Sequence, residues 1–111
     1  MKAMQIVNFD GPASGLRYQE APTPEPGPGQ IAVDVDHAGV GYVEALFTEG
    51  LVPIDVPWTP GLEVSGRVRA LGDGMDGYRV GDAVVALTIT GGGGYGQVAV
   101  APAELVVPLP A

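Results

Sequence analysis

The sequence has no cysteine, so disulfide bonds and thiolate chemistry are both excluded. Basic residues are scarce, because five Lys and Arg stand against thirteen Asp and Glu, and the formal net charge is −8. A surface of that sign repels nucleic acid and anionic lipid headgroups, so neither is an expected partner. No apolar run is long enough to cross a bilayer, and the first residues lack the build of a signal peptide. We therefore expect a cytoplasmic protein that binds neither nucleic acid nor membrane.

Glycine and proline are in excess, with 18 Gly and 11 Pro among 111 residues. They interrupt short apolar runs that are rich in β-forming side chains. Many short strands separated by Gly and Pro turns are typical of an all-β sandwich or barrel. The length corresponds to one domain over residues 1–111. We predict a single all-β domain that also contains one or two short helices.

Two segments show the clearest alternation of apolar and polar residues, the mark of a half-buried strand. The first, residues 62–70, follows a turn at Pro60 and Gly61. The second, residues 30–40, carries the only histidine, His37, on its apolar side. A lone histidine there is more often a packed, hydrogen-bonded ring than a ligand or a base, and we expect that role. The predicted apolar side also holds Ile31, Val33 and Val35, and the opposite side holds Asp34 and Asp36.

The period changes at residues 41–50, where Val43, Leu46 and Phe47 follow helical spacing and Gly50 stands where a short helix would end. We predict a helix of about two turns there. Weaker alternation predicts further strands near residues 1–9, 16–20, 84–87 and 95–100.

Two other segments suggest ligand chemistry but are better explained as loops. The proline-rich residues 21–29 have the composition of a linker for an SH3-type partner, yet a stiff loop between strands is the simpler interpretation. The glycine run 91–94 would bind phosphate only ahead of a helix N-terminus, and a strand pattern follows it instead. A catalytic triad would need His37 with Ser65, and nothing in their spacing favours one.

Residues 60–72, which read PGLEVSGRVRALG, resemble the signature P-G-H-E-x-x-G-x-V-x-x-x-G of the N-terminal, GroES-like domain of medium-chain dehydrogenases/reductases. Three further elements of that family occur in the right order, namely Gly39-Val40-Gly41 with Glu44 at the acidic position that follows, a Gly81-Asp82 turn, and the closing segment 94–110. The resemblance covers essentially the whole chain but only the first third of a family member. It implies a partly open, GroES-like β-barrel.

The same resemblance implies a member that works without zinc. Gly41 and Leu62 stand where zinc-dependent members carry ligands, and neither side chain can bind a metal. Glu63 remains, but a single carboxylate does not hold a catalytic zinc. The combination is similar to the zinc-independent quinone oxidoreductase branch.

The resemblance also implies which residues face the substrate cleft. Tyr42 is expected to donate a hydrogen bond to a substrate carbonyl, as the one catalytic candidate. Glu63 is expected to be a structural carboxylate satisfied by nearby backbone groups. The cleft residues implied by position are Gly41, Leu46, Leu62, Glu63 and Tyr95.

By resemblance, the chain is the substrate-side domain of an NADPH- or NADH-dependent quinone or enone reductase, or of an alcohol dehydrogenase-like enzyme. The substrate would be a small carbonyl, enone or quinone, and a homo-oligomer is expected. No G-x-G-x-x-G turn between a strand and a helix is present in the sequence. The nicotinamide-binding Rossmann domain is therefore expected to lie outside this chain. The chain by itself is expected to bind no cofactor and to be inactive. Two alternatives remain open: a stand-alone GroES-like module for binding or oligomerisation without catalysis, and part of a polyketide-synthase enoyl reductase.

Overall fold

The computed structural model describes residues 1–89 and 91–110 of the chain. Short strands dominate it, as the alternating sequence pattern predicts. In chain order, the elements are β1 (Lys2–Ile6), α1 (Pro12–Gly15), β2 (Leu16–Glu20), β3 (Gln30–Ala38), α2 (Tyr42–Thr48), β4 (Glu63–Leu71), β5 (Ala83–Leu87), β6 (Val98–Pro102), a 3₁₀ turn (Ala103–Leu105) and β7 (Val106–Pro108).

The strands form two antiparallel sheets. β1 pairs with β2, and the other five strands form a sheet in the order β6-β3-β4-β5-β7. The larger sheet curls into a half-barrel, which confirms the predicted all-β fold with short helices and the partly open GroES-like barrel. β4, the strand of the family signature, is the central strand of that sheet.

The core lies on the concave side of the five-stranded sheet. β4 contributes the buried side chains of Val64 and Val68. Glu63 and Arg67, each directly before one of these valines, are exposed, so the predicted alternation is confirmed. Burial of each such Val contributes about 1.5–3 kcal/mol of transfer free energy. The other buried members of the cluster are Ile31, Val33, Val84, Ala86, Ala99, Ala101 and Val106.

The alternation predicted for β3 fails near its end. The register between β3 and β4 shifts between Ala32 and Val33 and again between Val35 and His37. Such a bulge adds one residue and turns the following side chains to the other face of the sheet. His37 is therefore exposed, and its predicted place as a packed core ring is wrong.

The predicted helix is α2, and it ends as the sequence indicates. Gly50 lies just beyond it with φ of 78°, in the left-handed region that favours glycine. Thr48, in the last turn, is buried, and its hydroxyl donates to the Ala45 carbonyl at 2.6 Å. Residues 21–29 form an irregular loop without helix or strand, as predicted for the proline-rich segment. Among the residues described, no helix is long and apolar enough to span a membrane.

The small β1–β2 sheet is attached to the barrel by residues from the far end of the chain. The Lys2 amide donates to the Gln97 side-chain oxygen at 2.8 Å, and the Gln97 amide donates back to the Lys2 carbonyl at 3.2 Å. Ile6 and Trp58 exchange two backbone hydrogen bonds of 2.7 and 3.1 Å. The Lys2–Gln97 pair joins β1 to the segment before β6, and the Ile6–Trp58 pair joins β1 to the loop before β4.

Candidate active site

One end of the five-stranded sheet brings together three segments that are distant in sequence. β3 meets β4 where the Gly39 amide donates to the Glu63 carbonyl at 3.0 Å. β4 meets β5 where Glu63 is the register partner of Leu87. Just beyond, the Thr88 amide donates to the Leu62 carbonyl at 2.8 Å. The predicted cleft residues Leu62 and Glu63 therefore lie at this end of the sheet.

The Glu63 side chain lies across the backbone of Gly39. A Cβ atom placed on Gly39 would collide with the Glu63 side chain, which would then have to move. Glu63 itself is exposed. Its carboxylate is thus open to solvent, and within residues 1–89 and 91–110 no backbone donor satisfies it, contrary to the expected role as a structural carboxylate.

α2 carries three of the predicted cleft residues on or beside its first turns. Gly41 is the residue before the helix and has an extended backbone, with φ of −120°. Tyr42 opens the helix and is 78% exposed, so its hydroxyl is available to a ligand. Leu46, one turn later, is half-buried. The strand-to-helix turn therefore presents one phenol and one aliphatic side chain near the sheet end.

Tyr95 lies next to the turn that precedes β4. Its amide donates to the Pro60 carbonyl at 3.0 Å, and its carbonyl accepts from the Met4 amide at 3.1 Å. Burial raises the pKa of the Tyr95 phenol, and the negative charge of Glu44 raises it further. The charge of Glu44, in the first turn of α2, thus acts on the Tyr95 phenol.

Glu44 is a residue that the sequence analysis did not assign to the site. It is only 8% exposed, and its Oε2 accepts a hydrogen bond from the Gly41 amide at 3.0 Å. A signal for this was present, because a glutamate three residues after a helix-capping position is one half of a capping box. The sequence did not reveal that the carboxylate would be buried.

Several large apolar side chains are exposed at or near this end of the barrel. Contiguous exposed apolar area is typical of a ligand groove or a protein contact. The residues concerned are Val40, Tyr42, Val43, Leu87 and Ile89.

A cavity of about 450 Å³ lies beside α2, under the loop that precedes β4. This is within the size range of small-molecule pockets. Its back wall is an aromatic pair, Phe47 and Trp58, whose ring centroids are 4.9 Å apart. Asp55 is the one charged residue in its lining, which otherwise consists of Phe47, Val52, Pro53, Ile54, Trp58, Ile89 and Gly91.

His37, Glu63 and Ser65 share a shallow depression of about 270 Å³ on the outer face of the sheet. His37 and Ser65 are register partners on β3 and β4. Within residues 1–89 and 91–110, however, no hydrogen bond links the His37 ring to either residue. The three side chains are neighbours and do not form a catalytic triad.

Metal ligands are not gathered at this end of the sheet. Gly41 and Leu62 have no side-chain atom that could bind a metal, and the depression beside them offers only two candidate ligands, Glu63 and His37. In the part of the chain that the structure describes, no group of three His, Cys, Asp or Glu side chains is arranged to hold a metal ion.

Comparison with known proteins gives a consistent result. The family model for the alcohol dehydrogenase GroES-like domain matches residues 27–111. The quinone-oxidoreductase QR1 of Triphysaria versicolor, a chloroplast protein, is 31% identical over 115 aligned residues, which cover 99% of this chain and 35% of QR1. The chain thus spans about a third of the length of the curated relatives that it matches.

Solved structures of similar proteins have the same fold as this chain. The human synaptic vesicle membrane protein VAT-1 homolog-like protein superposes with a TM-score of 0.93 at 32% identity, over 99% of this chain and 35% of that one. A mycobacterial protein solved in complex with NADPH superposes with a TM-score of 0.88 at 32% identity, over 99% of this chain and 34% of its own.

Proposed function

This chain belongs to the alcohol dehydrogenase GroES-like domain family of the medium-chain dehydrogenases/reductases, and on that premise we propose that it forms the substrate side of the active-site cleft in an NADPH- or NADH-dependent reductase of quinones or enones. Two similar proteins support this choice: QR1 is a quinone oxidoreductase, and the mycobacterial protein was solved in complex with NADPH. The substrate would be a small conjugated carbonyl compound.

The observation that carries the proposal is the apolar character of the open end of the barrel. The cavity beside α2 is lined by Phe47 and Trp58. The exposed side chains of Val40, Tyr42 and Val43 lie outside that lining, at the start of the same helix. A flat, apolar quinone ring suits aromatic walls of this kind, because offset ring stacking adds to the free energy of burial. A charged or strongly hydrated substrate would gain little there.

In this proposal Tyr42 is the catalytic residue of the chain. Its exposed hydroxyl donates a hydrogen bond to the carbonyl oxygen of the acceptor, which withdraws electron density from the conjugated system. Leu62 and Leu46 provide apolar contacts that exclude water from that oxygen and so strengthen the hydrogen bond. Gly41 leaves room for the acceptor beside the helix, and Tyr95 and Glu63 line the rim.

The reaction is proposed to proceed without zinc. A metal would otherwise polarise the carbonyl as a Lewis acid. Gly41 and Leu62 supply no ligand atoms, and one carboxylate is too few for a catalytic zinc, which takes three protein ligands. Conjugated carbonyls and quinones are reactive enough for hydrogen bonding to suffice.

The nicotinamide cofactor is proposed to be held by a domain beyond this chain. The only glycine run, residues 91–94, does not fit its phosphates, because the amides of Gly92 and Gly93 already donate to the carbonyls of Thr88 and Thr59 at 2.8 Å each. The residues that follow lead into β6 and not into a helix, so no helix N-terminus is aimed at an anion. This chain alone is therefore expected to bind the acceptor and to be inactive. We further propose a cytoplasmic, homo-oligomeric enzyme.

The test is an NMR titration of this chain with 1,4-naphthoquinone, in which binding is monitored through the backbone amide chemical shifts. We expect saturable shifts at the first turn of α2 and at residues 62–63. Tyr42→Phe should weaken binding about fivefold, since a hydrogen bond contributes roughly 1 kcal/mol, and Leu62→Ala should weaken it by a similar factor. Tyr18→Phe is the matched control, because Tyr18 is an equally exposed phenol on the β1–β2 sheet.

Activity is then measured in the complete enzyme with NADPH and with NADH. Unchanged turnover in both Tyr42→Phe and Leu62→Ala would overturn the proposed roles. Absence of quinone binding, together with a defined oligomer of the isolated chain, would favour the alternative of a binding or oligomerisation module without catalysis.

A further inference from the structure

Glu44 is a buried acidic residue for which the proposed function has no use. Its side chain is 8% exposed, and taking a carboxylate out of water is costly unless it gains strong partners. The ion pairs found within residues 1–89 and 91–110 involve Glu20 and Asp34 and leave Glu44 aside. A solvent-exposed Ser or Asp before the helix would cap it at a lower cost.

The contact that Glu44 does make is with the cleft-forming turn. Its Oε2 accepts the Gly41 amide hydrogen at 3.0 Å. The packing there is tight, since a Cβ on Gly41 would lie 2.9 Å from the same oxygen. The bond is charge-assisted and therefore stronger than an ordinary one. Because Tyr42 follows Gly41 directly, this bond fixes the backbone from which the Tyr42 phenol projects.

The charge of Glu44 also acts on Tyr95. The negative charge of Glu44 is one of the two causes that raise the pKa of the Tyr95 phenol, after burial. The Tyr95 backbone is in turn bonded to Pro60, at the turn that leads to Leu62 and Glu63.

We propose that Glu44 is a positioning residue for the acceptor: through the Gly41 amide it holds the turn that presents Tyr42. This inference rests on the proposed function, because it concerns the same acceptor. In this inference Glu44 acts on the acceptor only through the Gly41–Tyr42 turn and does not contact the acceptor itself.

The experiment uses two substitutions of Glu44 and 1,4-naphthoquinone as the probe. Glu44→Ala removes both the acceptor atom and the charge, and should weaken quinone binding about tenfold, as expected for loss of a charge-assisted hydrogen bond that fixes the site. Glu44→Gln keeps an acceptor for the Gly41 amide and should restore most of that loss, leaving binding roughly threefold weaker than wild type. In the Gln variant the Gly41 amide resonance should shift and the Tyr95 phenol should titrate at lower pH.

Two controls separate positioning from a general loss of stability. Glu49→Gln removes one negative charge at the exposed end of the same helix and should leave quinone binding unchanged. Thr48→Ala removes the buried hydroxyl bond to Ala45 and should lower the unfolding midpoint without changing quinone affinity. A merely structural role for Glu44 would instead make affinity follow stability in all of these variants.

The outcomes are distinguishable. If the wild-type chain does not bind naphthoquinone, the proposed function fails before the role of Glu44 is reached. If the wild type binds and Glu44→Ala binds equally well, the role of Glu44 is overturned while the proposed function stands. If Glu44→Ala does not fold, the Gln variant decides, and wild-type affinity combined with an unshifted Gly41 amide overturns the proposal.

Discussion

The indole ring of Trp58 packs against the phenyl ring of Phe47 with their centroids 4.9 Å apart and their planes inclined by 38°. Phe47 belongs to α2, whereas the backbone of Trp58 pairs with Ile6 of β1. This one contact therefore joins the helix, the loop before β4 and the small sheet. It also forms the back wall of the cavity beside α2.

Trp58→Ala is expected to destabilise the domain by about 3 kcal/mol, because a largely buried aromatic side chain is replaced by a void. Trp58→Phe keeps most of the volume and the ring contact, and should cost less than about 1.5 kcal/mol. Urea unfolding followed by far-UV circular dichroism measures both, since the Ala variant has no tryptophan fluorescence. Equal stabilities of the two variants would show that the ring contact contributes little.

Quinone binding should quench the fluorescence of Trp58. It is the only tryptophan of the chain, so the emission reports on the surroundings of its indole ring, which lines this cavity and also a second depression beside Pro57 and Thr59. We expect saturable quenching by 1,4-naphthoquinone, with the same dissociation constant as the NMR titration. Phe47→Leu should retain the emission and weaken the binding. Quenching that rises linearly with quinone concentration would indicate collisions only and place the acceptor elsewhere.

Gly39→Ala should destabilise the domain through one identifiable clash. The added methyl group would collide with the Glu63 side chain, which must then move. We expect a cost of about 1–3 kcal/mol, typical of overpacking. Glu63→Ala alone should be nearly neutral, because that side chain is exposed. In the double variant most of the cost should disappear, and a purely additive double-mutant cycle would contradict the contact.

The stability of the domain should fall at alkaline pH through Tyr95. Burial and the charge of Glu44 raise the pKa of its phenol in the folded state, above the value of about 10 that the unfolded chain has. The contribution of Tyr95 is therefore fully present below about pH 10 and is lost as the pH rises through the folded pKa. Tyr95→Phe should lose less stability between about pH 9 and pH 11 than wild type, as measured by urea midpoints. Equal losses would mean that Tyr95 does not titrate differently in the two states.

Zinc should leave the melting temperature unchanged. One equivalent of Zn²⁺ is compared with one of Mg²⁺, and no difference is expected because Gly41 and Leu62 provide no ligand. The double variant Gly41→Cys, Leu62→His supplies two ligand types beside Glu63 and is the positive control. It should show a melting temperature that rises with zinc. A rise in the wild type would contradict zinc independence.

Much of the fold was predictable from sequence because the patterns are local. The alternation in β4 and the helical spacing with its final Gly50 both place residues where the structure has them. β7 escaped prediction because three residues, of which the last is Pro108, are too few to show a period. His37 was misplaced because a bulge changes the period of its strand, and the bulge is set by pairing with β4.

The candidate site was predictable only in part, for a similar reason. The resemblance to a family placed Gly41, Tyr42, Leu62 and Glu63, and the structure puts the last two at one sheet end. The burial of Glu44 depends on how α2 packs, which no local pattern encodes. The exposure of Glu63 depends likewise on the close approach of Gly39 from a neighbouring strand.

The attachment of β1 through Lys2 and Gln97 has a consequence for synthesis on the ribosome. The bond between them joins residues 95 positions apart. One edge of β1 therefore stays unpaired until almost all the residues described here have emerged from the exit tunnel. Contacts of such long sequence separation slow folding and leave edges open to other chains. A nascent-chain protease assay should find β1 cleavable until about residue 97 has left the tunnel.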